Sequence, residues 1–204
     1  MTDGRFGVST GAYFPDAPGL AVLTERARDE GWPYLELLAD RLPQLGELNA
    51  LLASPPAALG AFTRVSVHAP IERVAVELLP PGYDVNLHPD LYPDATALGS
   101  RAVFENMDVA KAFGRTPEDM AIVFDRNPDA GFCLDVAHVW TNDPTLALGH
   151  ELLDACGNRL RQVHVSGIEP NGRHRDTTAA DLALYEPLLA RCGGVPWILE
   201  TLLV

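Results

Sequence analysis

Eight short strand-like runs recur along this chain, separated by helical or loop segments. They are RFGVST (5–10), YLELLAD (34–40), RVSVHAP (64–70), DVNLHPD (84–90), AVFENMD (102–108), GFCLDVAH (131–138), RLRQVHVSG (159–167) and PWILET (196–201). Several intervening helices carry start signals. Thr116 precedes Pro117, Glu118 and Asp119, which reads as a cap before a proline at the first helical position. Asp143 before Pro144 reads the same way. Thr178 followed by Asp181 reads as a cap with an acid in the first turn, and that helix is expected to stop at Gly193 and Gly194. Alternating β and α elements predict a parallel sheet with helices outside, and eight strands predict closure into a (β/α)8 barrel.

Length shapes the expected barrel. The chain has 204 residues, 47% of them hydrophobic, enough for one core and one domain over residues 1–204. Barrels of this kind typically run to about 250 residues, with about 200 the lower limit. His68 to His88 is 20 residues and His88 to Glu105 is 17, too few for a strand, a full helix and two loops. Proline and glycine in LLPPGYD and LYPD agree with short connections. The expected fold is therefore α/β, a compact TIM barrel with helices 3 and 4 shortened or missing. Glu200 stands four residues from the end of the sequence, so helix 8 is expected to be missing too.

Strand periodicity sorts the side chains. Val65 and Val67 oppose Ser66 and His68; Val85 and Leu87 oppose Asn86 and His88; Val163 and Val165 oppose Gln162, His164 and Ser166; Trp197 and Leu199 oppose Ile198 and Glu200. The apolar faces should meet the helices. The other faces should point inward, with the last inward residue of each strand at the C-terminal mouth, where barrel active sites lie. His68, His88, Glu105, Asp135, His164 and Glu200 are thereby predicted to converge, with His138 on the loop just past Asp135. Three carboxylates in one small space repel, and each resists ionising unless a divalent cation removes the cost. An all-nitrogen and oxygen donor set suits Zn²⁺, Mn²⁺, Co²⁺ or Fe²⁺, with Zn²⁺ or Mn²⁺ favoured. Cys133 shares a strand face with Asp135 one layer deeper and reads as packing.

The order of motifs VHAP, NLHP, FENMD, LDVAH, VHVSG and ILET resembles the xylose-isomerase-like barrel superfamily over nearly the whole chain. That superfamily holds sugar isomerases and epimerases and the endonuclease IV family. The resemblance to the epimerases implies one metal held by Glu105, Asp135, His164 and Glu200, with Glu105 and Glu200 as acid and base. It implies substrate contacts from His138 and an arginine, here Arg173. The resemblance to endonuclease IV implies further metal ligands at His68 and His88, with Glu105 bridging two ions. A third metal in that family uses the DxxH histidine, here His138, and a later Asp-x-His pair. Here the later stretch reads GRHRD: His174 matches the histidine, Gly172 stands where the aspartate belongs, and Asp176 offers a substitute in reversed order.

Two reactions follow as expectations. The first is isomerisation or epimerisation of a small sugar or polyol through an enediolate, with Glu36 on the second strand binding substrate hydroxyls. The alternative is an endonuclease IV-like phosphoesterase with two or three metals. One ion would point to the first, two to the second. A non-catalytic metal-binding barrel is a third reading, with no positive support. Trp140 and Phe14 follow strand ends and are candidates to line the pocket.

Composition narrows the partners. Fifteen Lys and Arg face 28 Asp and Glu, a net charge of −13, with no basic run beyond a weak cluster at Arg173 and Arg175. Nucleic acid is therefore disfavoured and a small neutral substrate preferred. No glycine-rich phosphate cradle follows strand seven. Lys111, the only lysine, sits in a loop-like stretch, which sets aside a Schiff-base aldolase. Three cysteines without CxxC spacing argue against disulfides or a thiolate zinc site. With no signal-peptide pattern and no 18-residue apolar stretch, a cytoplasmic protein without a membrane span is expected. Barrel sides left without helices make a homodimer plausible.

Overall fold

A computed structural model describes residues 4–13, 19–39 and 41–204. Phe14, and Asp40 at the end of the second strand-like run, lie outside the described residues. The strands are β1 (Phe6–Ser9), β2 (Tyr34–Leu38), β3 (Arg64–His68), β4 (Asp84–Leu87), β5 (Ala102–Glu105), β6 (Gly131–Asp135) and β7 (Leu160–Val165). A small antiparallel hairpin of β8 (Gly167–Ile168) and β9 (His174–Arg175) follows, then β10 (Trp197–Leu199). Leaving the hairpin aside, the eight strands close in the order β1-β10-β7-β6-β5-β4-β3-β2, every pair parallel. The expected closed barrel is what the chain forms.

The helices are α1 (Leu20–Asp29), α2 (Leu42–Ala53), α3 (Pro117–Arg126), α4 (Val136–Asn142), α5 (Ala147–Cys156) and α6 (Ala179–Leu189). A 3-10 turn at Val76–Leu78 and a 3-10 stretch over Thr96–Arg101, broken at Gly99, replace the third and fourth outer helices. No helix follows β10 among the described residues. Instead Thr177 pairs with Leu203, and the Thr177 N–H donates to the Leu202 carbonyl at 2.8 Å. No described helix is long and apolar enough to cross a membrane.

The main apolar core lies between sheet and helices. It includes Val67, Val85, Leu87, Phe104, Phe132, Leu134, Val163, Val165, Trp197 and Leu199, the outward faces that alternation predicts. The inward faces are largely polar: Glu36, Ser66, His68, Asn86, Glu105, Gln162 and His164 are all buried. Register then sets their neighbours. Glu36 lies beside Ser66, His68 beside Asn86, and Asp135 beside His164.

Two local expectations are corrected. His138 is not on a loop but in the first turn of α4, which starts directly off β6. Asp135 is its N-cap, with Oδ1 accepting from the His138 N–H at 2.7 Å. The DxxH spacing is therefore a helix-cap spacing. Asp143 does not cap the next helix, because it is the C-cap of α4. Its carboxylate reaches forward to the Thr145 and Leu148 N–H groups, and α5 starts four residues after it, at Ala147. By contrast, the Thr116 and Thr178 caps form as expected, each closing a reciprocal box with the aspartate three residues on.

Candidate metal centre

Glu105 is the hub of the barrel mouth. It ends β5, is 1% exposed, and is ringed by four histidines. Its Oε2 accepts from Asn86 Nδ2 at 2.6 Å and lies 3.2 Å from His164 Nδ1 and 3.5 Å from His68 Nε2. Its Oε1 lies 3.1 Å from His138 Nδ1 and 4.0 Å from His88 Nε2. Glu200 closes the ring one residue past β10, with Oε1 3.0 Å from His164 Nδ1. His164 Nδ1 thus sits between two glutamates, yet it hydrogen-bonds to neither.

The donors form overlapping triads, each with ligand atoms within 4.8 Å of one another. The sets are His68, His88 and Glu105; Glu105, Asp135 and His138; His68, His164 and Glu200; and Glu105, Cys133 and His164. The four ligands implied by the epimerases do not close into one such set. Three of the four triads share Glu105, and its two oxygens face different histidines. His174 and Asp176 join none of these sets among the described residues.

Whether a divalent cation suits this cluster can be judged from the polar atoms left over. Asp135 Oδ2, His164 Nδ1, Glu200 Oε2 and His88 Nδ1 are all buried without a hydrogen-bond partner. Buried polar atoms are normally paired, and unpaired ones are costly. Four of them on the expected ligands, all nitrogen or carboxylate oxygen, match what a Zn²⁺- or Mn²⁺-type ion binds.

Electrostatics agree with that reading. Burial disfavours the imidazolium of His68, but Glu105 and Glu36 outweigh it and raise the pKa to about 9. Burial opposes His138 likewise, and Asp135 and Glu105 raise it to about 10. His164 rises well above the ordinary value against its own burial, drawn up by the charges of Glu36, Glu200 and Glu105. Burial pushes Asp135 up to about 7. His88 falls to about 4, because burial outweighs Glu105. At neutral pH, then, protons on His68, His138 and His164 do the work of a cation. A metal ion bound by His164 must displace the proton on its ligating nitrogen. Apparent Zn²⁺ affinity is expected to rise between pH 6 and 9, by about tenfold per pH unit for each proton released. Calorimetry in buffers of different ionisation enthalpy measures this directly, and a flat profile with no proton release would contradict it.

A cavity of about 430 Å³ opens above the cluster. Its lining includes His68, His88, Glu105, His174, Arg175, Asp176 and Glu200, with Ala12, Leu38 and Ile71 forming an apolar side. Asp135, His138 and His164 lie beneath, each at most 5% exposed. Glu36 was expected to reach substrate, but it is fully buried and absent from the cavity wall, with Oε2 3.2 Å from His164 Nε2. Arg173 is exposed and also lies off the wall. The arginine that lines the cavity is Arg175, held by two 2.7 Å bonds to Asp181. Gly172 has φ +84° in the hairpin turn, so the residue standing in for the missing aspartate shapes backbone rather than offering a ligand. His174 overhangs the site, with Nδ1 3.7 Å from Glu200 and its ring edge-on to His138. Trp140 packs half-buried against the core. Cys133 is fully buried, and burial pushes its thiol up to about 12.

Three residues went unweighed in the sequence. Asn86 and Gln162 were visible as inward-facing but are neutral. Asn106 ties β5 to β6: its side chain accepts from the Asp135 N–H at 2.9 Å and donates to the Asp135 carbonyl at 3.0 Å. Asn106→Leu should leave both backbone groups unpaired and cost roughly 2–4 kcal/mol in denaturant unfolding. A loss below about 0.5 kcal/mol would show that this bridge is dispensable.

No family model matches the sequence, and no curated protein does. Solved structures do match. A D-tagatose 3-epimerase-like protein superposes with a TM-score of 0.60 at 15% identity, covering 97% of this chain and 90% of its own. A xylose isomerase domain protein from Planctomyces limnophilus gives 0.57 at 15%, covering 96% and 88%. An AP endonuclease, family 2, from Brucella melitensis gives 0.52 at 16%, covering 96% and 91%. The chain shares its closed barrel fold with these structures. At these identities the likeness is one of fold alone.

Proposed function

We propose that the chain is a divalent-metal-dependent isomerase or epimerase of a small sugar or polyol. One observation carries this reading. Of the four ligands expected for a single ion, only Glu105 and Glu200 line the cavity, while Asp135 and His164 are shut beneath it. Two carboxylates therefore flank the space a substrate would occupy. Glu105, Asp135, His164 and Glu200, which fall into overlapping triads rather than one set, would hold a divalent cation, and it would supply Lewis-acid polarisation of a substrate carbonyl. One glutamate then takes the proton from the adjacent carbon, and the other returns it to complete the isomerisation. Asn86, by donating to Glu105 Oε2, orients that carboxylate. Arg175 on the cavity wall is engaged by Asp181 and the chain carries a net charge of −13, both of which suit a neutral substrate over an anionic one.

A second reading rests on His68 and His88. With Glu105 they form a triad that a single-ion isomerase does not need. A phosphoesterase with two or more ions uses such a triad, with Glu105 as the bridge.

Incubating the Zn²⁺-, Mn²⁺- or Co²⁺-supplemented protein with ketoses and aldoses in D₂O separates the two readings. Isomerisation predicts deuterium incorporation at the carbon beside the carbonyl, with appearance of the isomer. Hydrolysis of bis(p-nitrophenyl) phosphate without any carbon-bound exchange would transfer the assignment to the second reading.

A further inference from the structure

We infer that Glu36 is a positioning residue, which holds His164 from beneath so that its Nδ1 faces the metal ligands. The inference rests on the metal-centre reading above. Glu36 sits on β2, across the barrel interior from β7, and is fully buried. Such a carboxylate is costly unless paired. Its ion-pair partner among the described residues is His164, with Oε2 3.2 Å from Nε2. The same oxygen accepts from Gln162 Nε2 at 2.7 Å and from Ser66 Oγ at 3.4 Å, so three strands fix its place. Glu36 does not line the cavity, which removes substrate binding as the reason for its burial.

An imidazole can offer a metal only one nitrogen, and the hydrogen bond at the other decides which. Here Nε2 faces the Gln162 amide nitrogen at 2.9 Å and Glu36 Oε2 at 3.2 Å, and of the two only the carboxylate oxygen can accept an Nε2–H proton. Nδ1 is left facing Glu105 at 3.2 Å and Glu200 at 3.0 Å, with no hydrogen bond to either. A carboxylate behind a ligating histidine fixes its tautomer and ring angle and makes the ligating nitrogen more basic. Losing such a partner typically costs 10–100-fold in metal affinity.

The test compares Zn²⁺ affinity, by competition with a chromogenic chelator, for wild type, Glu36→Gln and Glu36→Leu. Beside it, ¹⁵N NMR of the Zn²⁺-loaded wild type assigns the His164 nitrogens. The expected result is zinc on Nδ1 and a proton on Nε2 in wild type. Zn²⁺ affinity should fall about 10–100-fold in Glu36→Leu. Glu36→Gln should lose less, because its amide oxygen still accepts from Nε2. A merely structural Glu36 would change unfolding but leave affinity and nitrogen assignment untouched. Affinity of Glu36→Leu within about threefold of wild type overturns the inference while leaving the metal centre standing. If Glu36→Leu does not fold, zinc found on Nε2 in wild type overturns it without any variant. Wild type that binds no Zn²⁺ overturns both this inference and the metal centre.

Discussion

Glu105→Gln is expected to weaken divalent-metal binding by more than about 100-fold, beyond what losing an outer partner typically costs. It should also destabilise the metal-free protein by about 3–5 kcal/mol, the usual cost of breaking a buried ion pair. Both effects have one origin. Glu105 is held well below the usual carboxylate range: burial opposes this, but His164, His138 and His68 prevail. Removing its charge leaves protonated imidazoles facing one another in a buried space. The sign follows from that depressed pKa. The stabilisation is present at neutral pH and is lost as acid protonates Glu105, so wild type and variant should converge at low pH. Chelator competition and denaturant unfolding check the two halves separately. Metal affinity within tenfold of wild type would remove Glu105 from the centre of the site.

Glu200→Gln is expected to act on turnover more than on structure. Glu200 lies past the end of β10, lines the cavity, and is less enclosed than Glu105, with its side chain 16% exposed against 1%. As one of two proton-transfer groups, it should carry about 10²–10⁴ of the rate. The measurement is solvent-deuterium incorporation into whichever sugar the wild type exchanges, under saturating metal so that weakened ligation does not mask the chemistry. A variant that keeps wild-type exchange would show that Glu200 serves only as a ligand, or that the base lies elsewhere.

The barrel and its mouth were legible because β-strands alternate. Val65, Val67, Val163 and Val165 had to face the helices, which forced His68 and His164 inward, and parallel register did the rest. The missing third and fourth helices were legible from the 20 and 17 residues between His68, His88 and Glu105. The start of α4 was not, since VAHVW is as β-branched and aromatic as a strand. Only the bond from the His138 N–H to Asp135 Oδ1 decides for helix. Arg173 and Arg175 could not be told apart because nothing in GIEPNGRHR marks the hairpin register that sets Gly167 opposite Arg175. The same holds for Glu36, whose partners lie 126 and 128 residues away. Alternation told that it points inward, not that His164 covers it.

Metal content per chain, measured by elemental analysis on protein purified without chelator, tests the account most directly, with a His68→Ala/His88→Ala double variant alongside. The account predicts one divalent ion in wild type, retained by the double variant, because Glu105, Asp135, His164 and Glu200 hold it. Two or more ions in wild type, with one lost in the double variant, would contradict the isomerase reading in favour of the bridged phosphoesterase. No ion in either would contradict the metal centre itself.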